Sequence, residues 1–140
     1  MYNKSHIQLD NKGLMMPKVV FLLCFLLFLF SGCIEPQIVR PIEDVQVTRV
    51  SKRAMSEIIC SGALRLGWVA KESAPHVIRC TLSLHGHVVV VDVPYTENTF
   101  SIRYVSSENM GYDEKTQTIH RKYVQWIRNL RKQILTEAAR

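Results

Sequence analysis

The chain has 140 residues, with 18 Lys and Arg against 12 Asp and Glu, for a net charge of +6. That length allows one domain. A hydrophobic fraction of 47% is ordinary for a globular protein but is unevenly placed along the chain.

The first 14 residues (MYNKSHIQLDNKGL) are polar, and Met15 and Met16 follow at once. A start at either methionine gives a compact leader, so the true start is expected at Met15, at Met16 or at Met1 with a long leader. Val19 to Phe30 (VVFLLCFLLFLF) has no polar residue and is preceded by Lys18 and Lys12. This block is short of the roughly 20 apolar residues of a membrane span but has the length of a signal-peptide core. The run Leu29-Phe30-Ser31-Gly32-Cys33 resembles the lipobox of bacterial lipoproteins. Small residues at Ser31 and Gly32 fit a narrow peptidase site, and the Cys33 thiol would take the lipid. Phe30 stands where the pattern usually has an aliphatic residue. The resemblance implies a signal peptide over 1–32, lipidation of Cys33 and, because Ile34 rather than Asp follows, sorting to the periplasmic face of the outer membrane.

Residues 33–48 read as a lipidated tether, with Pro36 and Pro41 keeping the backbone extended. A small α+β domain is expected over 49–140. Its first helix should run from Arg49 to Leu66, capped by Thr48 or Ser51 and stopped by Gly67. Val50, Met55, Ile59, Ala63 and Leu66 share one face, and Trp68 should fold back onto the helix end. Three strands follow, over His76–Leu84, His87–Tyr95 and Thr99–Val105, joined by turns at His85-Gly86 and Thr96-Glu97-Asn98. After a polar loop from Ser106 to Thr118, Ile119, Tyr123, Trp126 or Ile127, Leu130 and Ile134 mark an amphipathic helix with Thr118 as its cap. The order α-β-β-β-α predicts a three-stranded antiparallel meander with both helices on one face. Val88, Val90 and Val105 would lie among Thr81, Ser83, Asp92, Ser101 and Arg103 on the other face, either as ordinary surface or as a partner site.

From Cys33 onward 15 basic residues face 11 acidic ones, and the excess gathers at the end of the chain. Arg121, Lys122, Arg128, Arg131, Lys132 and Arg140 meet only Glu137 there. The first five are the expected contacts for an anionic surface such as lipid headgroups, against the alternative of a solvated helix face; nucleic acid is not expected for an exported protein.

Cys60 and Cys80 form an even pair in an oxidising compartment, either bridged between helix and strand or separately buried as thiols. His85 and His87 flank a glycine, and His76 and His120 complete the histidines of the domain, but a zinc site needs three or four ligands and no set is named. Asp113-Glu114 is an acidic pair on a loop. No G-x-S-x-G, glycine-rich phosphate loop or H-E-x-x-H occurs, so no catalytic residue and no cofactor are expected.

Ala63-Leu64-x-Leu66-Gly67-Trp68, Ile78-x-Cys80-x-Leu82, Ser101-Ile102-Arg103-Tyr104, Asn109-Met110-x-Tyr112 and Ile119-His120-x-x-Tyr123-x-x-Trp126 together resemble a group of small Gram-negative periplasmic lipoproteins and secreted proteins to which no activity is assigned. Leu66 departs from the arginine of that group, and Cys80 from its small residue. The resemblance spans about residues 50 to 135 and implies the fold and the compartment, not a mechanism. The small size, the expected lipid tether, the lack of a catalytic motif and the open sheet face lead to the expectation of a non-enzymatic envelope module. The alternatives are an accessory subunit of a secretion or assembly machine and a binder of anionic lipid or a small ligand. For that binder the expected site is the Ser106–Thr118 loop against the basic final helix.

Overall fold

A computed structural model describes residues 35–48 and 53–140. The expected signal segment, Cys33, Ile34 and the expected first helical turn at 49–52 lie outside the described residues.

The elements are β1 (Gln37–Ile38), β2 (Ile42–Gln46), α1 (Met55–Arg65), β3 (Val69–Ala74), β4 (Val77–Leu84), β5 (His87–Pro94), β6 (Thr99–Glu108), β7 (Thr118–Ile119) and α2 (Arg121–Ala138). The fold is mixed α+β, as expected. Its sheet is larger than the expected meander: five antiparallel strands in the order β2-β6-β5-β4-β3, with β1 and β7 as a separate pair.

The three expected strands form the centre of the sheet, and their alternation is what buries Ile78, Cys80, Leu82, Val89, Val91, Val93, Phe100 and Ile102 on one face. The hairpin between β4 and β5 turns on His85 and Gly86, both at positive φ, which is the backbone a tight two-residue connection requires. Over that face lie Met55, Ile58, Ile59 and Ala63 of α1 and Tyr123, Ile127, Leu130 and Ile134 of α2. At the contact of the two helices, Gly62 presents no side chain to the backbone of Ile134.

The end of α1 is a Schellman turn. Trp68 N–H donates to the Ala63 carbonyl and Gly67 N–H to the Leu64 carbonyl, both at 3.0 Å, with Gly67 at φ +79°. Trp68 is buried behind it, as its position after the glycine predicts. The helix starts at Met55 rather than Arg49, with Ala54 extended before it and no side-chain cap.

The segment expected as a tether is structured from Gln37 onward. β1 pairs with β7, and β2 adds to the sheet beside β6. Prolines confine strands to edges without forbidding them, and β2 is an edge strand. Glu43 and Asp44 form a bulge opposite Ser101, with Asp44 at φ +48° donating its N–H to Ser101 Oγ at 3.0 Å. Ser101, expected on the open face, is thereby buried.

The uncovered face carries a row of charge across the sheet. Arg79 grips Asp92 through two bonds of 2.8 and 2.9 Å, and Arg103 grips Glu43 through two of 3.1 and 3.0 Å. Asp92 is the register partner of both Arg79 and Arg103, and Lys71 is that of Arg79. Paired opposite charges at fixed cross-strand spacing suit a solvated face. Val105 is the extra residue of a bulge, between Tyr104 opposite Val91 and Ser106 opposite Val90.

Candidate functional site

The expected anionic-surface residues of α2 are all exposed, and none of Arg121, Lys122, Arg128, Arg131 and Lys132 makes an ion pair with a described residue. They do not form one patch. At about 100° per residue, Arg121, Arg128 and Lys132 project away from the buried stripe, while Arg131 and Lys122 lie on opposite shoulders. Arg140 is set apart by its pairing with Glu137.

Two grooves meet at Arg128. The first has a volume of about 560 Å³ and runs between the β1–β2 segment and the first half of α2. Ile38, Arg40 and Ile42 form one wall, and Val124, Ile127 and Arg128 the other, with Tyr123 between. β2 reaches the groove because it pairs with β6, and α2 faces it because its buried stripe turns Ile127 and Tyr123 inward. Arg40 and Arg128 are exposed and without ion-pair partners among the described residues. Burial, with Tyr104 and Tyr112 adding, holds the Tyr123 hydroxyl well above the usual tyrosine range, so that it stays neutral. Beyond Arg128 a second groove continues along β2, lined by Glu43, Asp44, Arg131 and Leu135 among others.

The described histidines divide into three places. His87 and His120 stack with ring centroids 6.1 Å apart, and His87 lies 6.2 Å from the Trp126 ring. His87 Nδ1 contacts the Asn109 carbonyl at 2.6 Å, which makes that nitrogen the donor. His120 Nδ1 accepts from Lys122 N–H at 3.2 Å, so His120 rather than Thr118 caps α2. Burial lowers the His120 pKa, and Lys122, His87 and Arg121 lower it further. His76 stands apart against the Tyr95 ring at 5.5 Å, and His85 sits in its exposed turn. Among the described residues no three His, Cys, Asp or Glu side chains come together in a metal-holding group.

Cys60 and Cys80 are separate thiols in this structure, one half-buried on α1 and one buried on β4. Burial pushes the Cys80 thiol up to about 12, with Cys60 and Asp92 contributing. Burial, then Glu72, raises Cys60. Asp113 serves its own loop: Oδ1 accepts from Lys115 N–H at 2.8 Å and Thr116 N–H at 3.2 Å. The Ser106–Thr118 stretch is less of a loop than expected, since β6 runs to Glu108 and Asp113 bridges to Thr118.

The pattern of the sequence did not single out Glu137. It is 1% exposed, yet its carboxylate meets Arg65 Nε at 2.5 Å, Arg140 Nη1 at 3.1 Å and Arg53 Nη1 at 3.6 Å, and accepts from Gln133 at 3.2 Å. The signal was present: continuing the stripe Tyr123, Ile127, Leu130, Ile134 by three residues reaches Glu137.

No protein-family model, curated protein or solved structure matches the chain. Among the described residues the fold defines an α+β class, with two helices and a five-stranded antiparallel sheet. Among the described residues no helix is long and apolar enough to cross a membrane.

Proposed function

We propose that the protein is a periplasmic lipoprotein held to the outer membrane by a lipid on Cys33, acting as a non-enzymatic interaction module of the cell envelope. The observation that carries this reading is the junction of two features. The charged flank, apolar core and small-residue exit end at Cys33, and the first strand starts at Gln37. An exported, cleaved chain would then consist of a lipid, a linker of three residues and the folded domain.

Four residues of extended chain span at most about 14 Å, so the lipid would hold the domain against the membrane surface. A single acyl chain anchors weakly and several anchor firmly, so a mature lipoprotein with three chains would stay bound. Cell fractionation tests the reading. The wild-type protein is expected in the outer-membrane fraction and to resist extraction by high salt. Cys33→Ala is expected to accumulate as uncleaved precursor and to leave that fraction. Equal outer-membrane recovery of both would overturn it.

A further inference from the structure

We propose that the groove between the β1–β2 segment and α2 binds one phospholipid with an anionic headgroup, an inference that rests on the lipid-anchored reading above. Two observations lead there. The first is the groove's own chemistry. Arg40 and Arg128 stand on its two walls, exposed and without acidic partners among the described residues, while Ile42, Tyr123, Val124 and Ile127 give it an apolar lining. A pair of guanidiniums at the rim of an apolar trough matches a phosphodiester joined to acyl chains. Guanidinium groups bind phosphate oxygens through paired, charge-assisted hydrogen bonds. Ile38 on the same rim is 52% exposed, an apolar group left in water unless something covers it.

The second observation is position. Pro36 and Gln37 themselves line the groove, and Gln37 is four residues from Cys33. The span of that linker is about 14 Å at most, about twice the roughly 5–7 Å headgroup layer on each side of the hydrocarbon core. A groove so close to the anchor meets lipid headgroups at far higher effective concentration than any soluble anion. A volume of about 560 Å³ is in the range of small-molecule sites and accommodates a headgroup and the first part of its chains. Of the other exposed cations of α2, Arg121 and Lys132 lie on the outward ridge, Lys122 on the far shoulder and Arg131 along the second groove, and none of them lines this one.

Native mass spectrometry of the mature lipoprotein, released from neutral detergent, tests this. The protein is presented with phosphatidylglycerol and phosphatidylcholine of equal chain length in equal amounts, and separately with inorganic phosphate. One phosphatidylglycerol adduct is expected at least tenfold above the phosphatidylcholine adduct. Arg40→Gln and Arg128→Gln should each reduce it about tenfold, Arg40→Lys should retain most of it, and Lys132→Gln should change it less than twofold. Equal retention of the two lipids, an effect of Lys132→Gln as large as that of Arg128→Gln, or phosphate binding as tight as the lipid would each overturn the proposal; the last would mean a free-anion site. The same spectra give the mass of the covalent lipid on Cys33, so failure of the anchor and failure of the groove are read separately.

Discussion

The Arg65 guanidinium meets the buried carboxylate of Glu137 at 2.5 Å, tying the last turn of α1 to the last turn of α2. A carboxylate at a helix C-terminus opposes the helix dipole, and a buried one also loses its hydration. Three arginines and Gln133 compensate, so Glu137 is held where an apolar residue would otherwise continue the stripe. Glu137→Gln is expected to cost about 2 kcal/mol, below the usual cost of breaking a buried pair because the arginines are partly solvated. Arg65→Ala should cost less, since Arg53 and Arg140 remain. Urea denaturation of the two variants checks the order.

A Cβ built on Gly62 would stand 3.1 Å from Ile134 Cα and N, closer than carbon normally approaches backbone. Gly62→Val is expected to destabilise the domain by about 2 kcal/mol through forced separation of the helices. Gly62→Ala should cost less, because alanine gains about 1 kcal/mol of helix propensity over glycine. A valine variant that unfolds at the wild-type urea midpoint would contradict the close approach.

His120 caps α2 through a neutral Nδ1, and its pKa lies below the ordinary 6.5 chiefly because of burial. A histidine whose folded pKa is depressed favours the folded state while neutral. Its contribution is complete above about pH 6.5 and is lost as pH falls through the lower folded value. Stability should therefore decline on acidification from pH 7 to 5. His120→Asn keeps a capping side chain that does not titrate. It should flatten that part of the profile, and parallel profiles for variant and wild type would refute the assignment.

Cys80, with its pKa near 12 and its thiol buried, should resist iodoacetamide at pH 8 in the native protein, and Cys60 should react slowly. In denaturant without reductant both are expected to label, as two thiols do. Labelling that appears only after reduction would show a bridge instead.

The central strands and α2 were legible because each buries one side, so hydrophobic period and structural period coincide. β3 was missed for the opposite reason: Val69–Ala74 is an edge strand with almost every residue exposed, and no alternation survives. β2 was missed because the Glu43–Asp44 bulge breaks its period, and the flanking prolines read equally well as linker. β1 and β7 are two residues each, too short to carry a pattern. Of the site, the cations of α2 were visible as composition. Their division into an outward ridge and a groove wall was not, because Arg40 arrives from a segment that is placed by the pairing of β1 with β7 and of β2 with β6. The histidine pair shows the same limit, since His87 and His120 are 33 residues apart in sequence and meet only in the fold.

The mass of the N-terminal peptide of the mature protein, isolated from membranes, tests the lipid-anchored reading most directly. The account predicts a peptide that begins at Cys33 and carries a diacylglyceryl thioether, with a further acyl group on its amine. A mature chain that begins elsewhere, or one whose Cys33 is unmodified, would contradict it.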